Sequence, residues 1–378
     1  MIHDKNHFLG NICYIILHQD FKYKISNTVI MKNFKLILNL VVIATSFMFF
    51  QCTSEYTPIA GPAGADGVDG IDGVNGVDAS AAACISCHSL THRDPIIASF
   101  SSSQHAAGAT VAYAGGRASC SRCHSNEGYV NYITGQTAVD IPNPSAISCT
   151  TCHDSHRSFD FENDGNDYAL RNIEPVILDL TDVNYTIDYS STSSTSNNCV
   201  SCHQPRSKAP IDEDNDGLYL QANSRFYPHY GGQSTMLEGI QGAIIANGST
   251  PYPEVGSAGH RTGASCTTCH MGASPDGEDF GSHTFKPSFS SPVCATCHTT
   301  VPTEVTGLAA DMTVLHDKLF ELGLIEEDGS TIVQTTTIPF KTAQALWNYK
   351  TVEEDHSNGV HNPKYAKALI KNALEAVE

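Results

Sequence analysis

Three C-terminal stretches repeat apolar residues at three- and four-residue steps: Asp311–Leu324, Thr342–Glu354 and Asn362–Val377. That period predicts a helix over each. Asn362-Pro363 is a good start for the last, with Asn as N-cap and Pro at the first helical position. Ile173–Tyr189 alternates β-branched and polar residues instead, which predicts a short hairpin. The Ser/Thr-rich run 190–196 after it predicts a surface loop. Near the N-terminus, a basic segment, Met31-Lys32-Asn33-Phe34-Lys35, precedes an apolar run from Leu36 to Phe50. The run is too short to favour a spanning helix and has the size of a signal-peptide core.

The run ends at Cys52, as in a bacterial lipoprotein signal, where the cysteine is lipidated and becomes the first mature residue. Gln51 departs from that pattern, since most such signals carry Gly, Ala or Ser there. An uncleaved anchor or an ordinary secretory peptide is the alternative. Residues 1–30 precede the better start at Met31 and read as an N-terminal extension from a misplaced start, which leaves Cys13 irrelevant. Residues 31–51 are then the signal peptide and 52–80 a tether. In the tether, Gly61, Gly64, Gly67, Gly70, Gly73 and Gly76 keep a three-residue period. Glycine at every third place suits a collagen-like trimerising stalk. Few triplets and one proline favour an extended acidic spacer. Residues 81–378 form one domain.

The chain has fourteen cysteines, and twelve of them lie in six copies of Cys-x-x-Cys-His. These are Cys84, Cys87 and His88; Cys120, Cys123 and His124; Cys149, Cys152 and His153; Cys199, Cys202 and His203; Cys266, Cys269 and His270; and Cys294, Cys297 and His298. This is the attachment pattern of c-type haem. Two thiols add to the porphyrin vinyl groups, and the adjacent histidine gives the iron one axial nitrogen. Zinc sites also use Cys-x-x-Cys pairs, but they do not require a histidine after every second cysteine. A disulfide framework imposes no such rule, and a redox dithiol normally occurs once. Such haems are attached outside the cytoplasmic membrane, so export is a condition of this reading.

Only 8% of residues are aromatic, few for a core of this length. Six porphyrins would replace much of the aliphatic packing. The expected fold is therefore mainly α with little regular structure, packed around haem, with a hairpin insert and C-terminal helices. The second axial ligand decides the chemistry, because a haem with histidine on both faces shuttles electrons and one with a vacant face can transform a substrate. Nine further histidines follow the signal: His92, His105, His156, His229, His260, His283, His316, His356 and His361. Met236, Met271 and Met312 are other candidates, although Met271 follows His270 and is badly placed for the same iron.

Several phrases resemble multihaem cytochromes related to pentahaem nitrite reductase, hydroxylamine oxidoreductase and octahaem tetrathionate reductase. They are Ser102-Ser103-Gln104-His105, the Asp154-Ser155-His156 that trails the third motif, and Tyr227-Pro228-His229-Tyr230-Gly231-Gly232-Gln233. His270-Met271, Gly281-Ser282-His283-Thr284-Phe285 and Gly359-Val360-His361-Asn362-Pro363 complete the set. The resemblance covers most of residues 84–370. It implies His105, His156, His229, His260, His283 and His361 as distal ligands, with His260 resting mainly on its place before the fifth motif. His92, His316 and His356 are then left to the surface or to haem propionates. Three departures matter: there is no Cys-x-x-Cys-Lys motif, six haems match neither the pentahaem nor the octahaem enzymes, and no free cysteine remains in the mature domain. These features favour electron transfer over catalysis. The chain is similar in haem number and ligation to six-haem cytochromes that form extracellular filaments.

Asp212, Asp214 and Asp216 before Gly217 repeat the first half of a calcium loop, although Asn223 stands where a bidentate Glu is expected. Asp160, Glu162 and Asp164 make a looser copy. A net charge of −19 excludes nucleic acid and suits redox partners with cationic patches. Three classes remain: a lipid-tethered electron carrier at the periplasm or cell surface, serving partner proteins or an extracellular acceptor; a nitrogen- or sulfur-oxyanion oxidoreductase with one open haem; and a homo-oligomeric or filament-forming cytochrome.

Overall fold

The computed structural model describes residues 81–157, 168–178, 184–220, 222–273, 279–335 and 337–378. The signal peptide, Cys52, the glycine repeat and the acidic loop from Asp160 to Asp164 lie outside them. Every described residue lies in one compact unit, Asn75–Glu378.

Helices are short over most of this unit. α1 (Ala81–His88), α2 (Leu90–Ser101) and α3 (Gln104–Ala107) come first, then a π turn over Val111–Gly115. α4 (Ser121–His124), α5 (Asn126–Ile133) and α6 (Cys149–Cys152) follow. β1 (Val176–Ile177) and β2 (Thr186–Ile187) form the antiparallel hairpin that the alternation predicts, with Val176 opposite Ile187. α7 (Asn197–Val200), β3 (Leu218–Leu220), α8 (Gln233–Glu238), α9 (Gly259–Gly263) and α10 (Cys266–His270) come next. The chain ends in α11 (Leu308–Glu321), β4 (Thr337–Pro339), α12 (Phe340–Glu354) and α13 (Pro363–Ala376). β3 pairs antiparallel with β4, placing Tyr219 opposite Ile338.

The three long helices fall where the apolar period places them. α11 starts earlier than its periodicity suggests and buries Leu308, Leu315 and Leu319, positions near whole turns of one face. α13 is capped as expected, the Asn362 side chain accepting the Tyr365 N–H at 3.1 Å. The run 190–196 is only half a surface loop. Ser194–Ser196 forms a 3-10 turn, and Ser196 is buried because its hydroxyl accepts the Thr267 N–H at 3.2 Å at the first turn of α10.

Most of the aliphatic core is C-terminal, where α11, α12 and α13 pack with residues 222–245. α12 is buried on nearly every side, including polar Gln344, Asn348 and Lys350. Gln344 and Asn348 are buried at tolerable cost because they bond the irregular segment 241–252, whose backbone has no ladder of its own, while Lys350 Nζ donates to Ser330 O at 3.1 Å and pairs with Glu353 and Glu354. The Asn348 amide both accepts from Ala243 N at 2.7 Å and donates to Ala243 O at 2.9 Å. Trp347 Nε1 donates to Gln241 O and Gln344 Nε2 to Ile244 O. Asn372 of α13 makes the same two-way bond to Thr250. A Cβ on Gly248 would lie 2.4 Å from Asn372 Cγ, so the close approach requires glycine. Elsewhere, buried apolar side chains are sparse, the largest group being Val176, Leu178, Ile187, Tyr189, Val200 and Leu237.

Candidate functional site

Each Cys-x-x-Cys-His motif sits on a tight helical turn. Five lie on or against α1, α4, α6, α7 and α10, and the sixth on a 3-10 turn over Cys294–Thr296. Residues three apart on such a turn face the same way, so each cysteine pair presents its two thiols together. Ser148 and Ser265 start two of these turns, their N–H groups donating to Thr151 and Thr268 Oγ1 at 2.9 and 3.1 Å. None of the twelve motif cysteines is joined in a disulfide.

Every motif histidine faces one histidine from outside the motifs. The pairs His88–His156, His105–His203, His124–His229 and His260–His298 have ring centroids 6.1 Å apart. His153–His283 and His270–His361 are 6.3 Å apart. The assignment is one to one. Two metal–nitrogen bonds of about 2.0 Å, plus the distance from nitrogen to ring centre on each side, come to about 6 Å. The spacing therefore fits one metal ion between two imidazoles. Among the described residues no three His, Cys, Asp or Glu side chains converge on one point. A tetrahedral zinc needs four such ligands, whereas a haem iron already has four porphyrin nitrogens and needs two. The residues fit haem and do not fit zinc.

The local backbone is shaped to aim these rings. His153 Nδ1 bonds Tyr168 O at 2.8 Å, His270 Nδ1 bonds Phe285 O at 2.9 Å and His260 Nδ1 bonds Val360 O at 2.7 Å. His203 Nδ1 bonds Gln233 Oε1 at 3.1 Å, and His361 Nδ1 bonds Asp355 Oδ1 at 2.6 Å. All five partners only accept, so Nδ1 carries the proton and Nε2 keeps the lone pair that a metal requires. His124 Nδ1 meets the Thr110 hydroxyl at 2.8 Å. Tyr168, Ala169 and Phe285 have φ of 53°, 54° and 57°, and His229 has 75°. Left-handed backbone at four non-glycine residues costs of order 1 kcal/mol each, and all four lie beside or within the pairs.

Burial lowers the pKa of His105 and His229 to about 4 and also lowers those of His124, His203, His270 and His283. These rings are neutral at pH 7, as ligands must be. His361 is the exception: burial pulls its pKa down, but the Asp355 carboxylate overrides this and the net shift is upward.

The pairs interlock. His153 and His156 lie three residues apart but belong to different pairs, which puts the first and third motifs side by side. Cys202 Sγ donates to Arg122 O at 3.5 Å and the Thr267 N–H to Ser196 Oγ at 3.2 Å, joining the second, fourth and fifth motifs. The Phe285 ring stands 4.7 Å from His105 and 5.8 Å from His283 while its carbonyl holds His270, so three pairs meet at this residue. His260 is held by Val360, next to His361, which joins the sixth motif to the fifth.

The remaining candidates lie elsewhere. His92 and His356 are exposed; His316 stacks on Phe320 and bonds Asp317. Met236 is in the core, and Met312 packs against it. Asp212 is occupied by its own loop, accepting the N–H groups of Asp216 and Gly217 at 3.2 and 3.0 Å, and Asp216 accepts the Leu218 N–H. This turn leads into β3, and Asp212, Asp214 and Asp216 do not gather into a calcium ligand set. The sequence does not single out Asp355, Thr110 or the carbonyls of Tyr168 and Val360. Gln233 ends the quoted His229 phrase, the one signal that could have found it.

No family model and no curated protein sequence matches the chain. Two solved structures are similar. The crystal structure of the outer cell wall cytochrome OcwA aligns with a TM-score of 0.46 and 19% identity, over 75% of this chain and 50% of that one. The undecahaem cytochrome from the S-layer of Carboxydothermus ferrireducens aligns with a TM-score of 0.42 and 17% identity, over 69% of this chain and 38% of that one. The chain spans half the length of OcwA or less of either structure.

Proposed function

We propose that residues 81–378 form a six-haem c-type cytochrome domain that carries electrons, exported and anchored through a lipid on Cys52, in respiratory or extracellular electron transfer. The one-to-one pairing of six motif histidines with six others at 6.1–6.3 Å carries this reading. Haem bound at these positions supplies one-electron exchange at its iron. The twelve motif cysteines would hold it by thioethers. His88, His124, His153, His203, His270 and His298 would each supply one nitrogen to the iron, and His156, His229, His283, His105, His361 and His260, respectively, would supply a second. An iron with two histidines from the chain would have no free position for a substrate, which supports electron carriage over catalysis. The interlocked pairs, in the order first, third, fourth, fifth and sixth with the second beside the fourth, favour passage through the domain. The charge of −19 favours partners with cationic patches.

The reading is tested by producing the full chain in a host that exports it and attaches haem, then weighing the denatured protein. Six haem masses that survive denaturation are expected. Fewer covalent haems, or zinc with free thiols, overturn the reading.

A further inference from the structure

Six ligand histidines have a defined Nδ1 partner, and five of those partners are neutral oxygens: Thr110 Oγ1, Tyr168 O, Gln233 Oε1, Val360 O and Phe285 O. His361 alone among the six meets a carboxylate, Asp355 Oδ1, at 2.6 Å. Asp355 is 2% exposed, so water does little to screen its charge. Its other oxygen accepts the Ser357 hydroxyl, and Ser357 Oγ accepts the His361 backbone N–H at 3.2 Å. The same segment also serves the neighbouring pair. Gln233 Nε2 donates to the carbonyls of Glu354 and Asp355 at 3.3 and 3.5 Å, while its Oε1 accepts from His203. One end of α12 thus gives a charged acceptor to one axial ligand and fixes a neutral acceptor on another.

A carboxylate on the far nitrogen makes the near nitrogen a stronger donor. A stronger axial donor favours ferric over ferrous iron, which lowers the reduction potential. Resting on the haem reading above, we propose that Asp355 is a positioning residue that lowers the potential of the centre held by Cys266, Cys269, His270 and His361. Ser357 moderates that effect by sharing the carboxylate's charge. Gln233 keeps the centre at His105 and His203 free of such a charge. Two adjacent centres with the same ligand chemistry are thereby set apart in potential.

The test is a spectroelectrochemical titration of the full-length holoprotein as wild type, D355N and S357A, each first assayed for haem content and spin state. Charge-assisted hydrogen bonds are roughly twice as strong as neutral ones. D355N keeps an acceptor oxygen but loses the charge, so one of the six components should gain about tenfold in reduced over oxidised form, a rise of about 59 mV for one electron. S357A, which frees the carboxylate, should move the same component down. Six low-spin haems with no component shifted in D355N overturn the proposal, as do both variants shifting the same way, which marks a merely structural role. If D355N loses a haem, S357A carries the test, and the absence of a downward shift there overturns it. A wild type without six haems defeats the haem reading itself and is distinguished by the haem assay.

Discussion

Substituting His260 by alanine should open one iron and no other. His260 faces His298 at 6.1 Å and is held by the bond from its Nδ1 to Val360 O, 100 residues away in sequence. Alanine removes the nitrogen from one face and leaves His298 on the other. A vacated face makes the iron five-coordinate and able to bind carbon monoxide after reduction. The expected stoichiometry is one carbon monoxide per protein, so about a sixth of the haem absorbance should respond and the rest stay low-spin. The lost hydrogen bond is worth about 1 kcal/mol, which lowers Tm by about 2 °C in a domain of this size. The assay is carbon monoxide titration of the dithionite-reduced variant followed by visible absorption, with His316→Ala as the matched control. His316 stacks on Phe320 and faces no motif histidine, so its variant should bind none. The pairing argument is refuted if His260→Ala stays fully six-coordinate, or if the control opens an iron.

Other outcomes follow from the same coordinates. In EPR of the oxidised protein, four centres should give highly anisotropic low-spin signals, because their ring planes cross at 64–81° and leave the iron π orbitals nearly degenerate. The pairs at 34° and 38° should give ordinary rhombic signals. Asn348→Ala should cost about 3 kcal/mol in denaturant titrations, since it strands both backbone groups of buried Ala243. Lys350 is 1% exposed and lies 3.0 Å from Glu354, with the half-buried Glu353 also in contact, so Lys350→Met should cost about 3 kcal/mol by leaving the buried Glu354 carboxylate unpaired. Burial holds Glu353 above its ordinary 4.5 although Lys350 pulls it down. A carboxyl with a raised folded pKa contributes most below its unfolded value and loses that contribution as pH rises through the folded value. The Lys350→Met protein should therefore lose stability more steeply than wild type as pH rises above the ordinary carboxyl value of 4.5, measured by Tm against pH.

What could be read from the chain alone was whatever repeats locally. The motifs are contiguous, α13 is announced by Asn362-Pro363 and an apolar period, and the hairpin by alternating β-branched and polar residues. The five outside histidines singled out by short phrases, and His260, singled out by its place before the fifth motif, are the six that face motif histidines in the structure. Pairing between elements far apart left no such trace. β3 meets β4 only after more than a hundred intervening residues, and the amides of Asn348 and Asn372 grip segments equally remote. These bonds join side chain to backbone and therefore impose no period on the sequence. Asp355 is equally silent, because its partner is a ring six residues away across the turn between α12 and α13, a spacing that marks no motif.

The central claim, six centres each held between two histidines, is tested most directly by EPR and visible spectra of the oxidised holoprotein, followed by reduction under carbon monoxide. Six low-spin irons that ignore carbon monoxide are the predicted result. A high-spin iron that binds it would contradict the pairing at that centre and reopen the enzymatic alternative, with nitrite, hydroxylamine and tetrathionate as the substrates to screen.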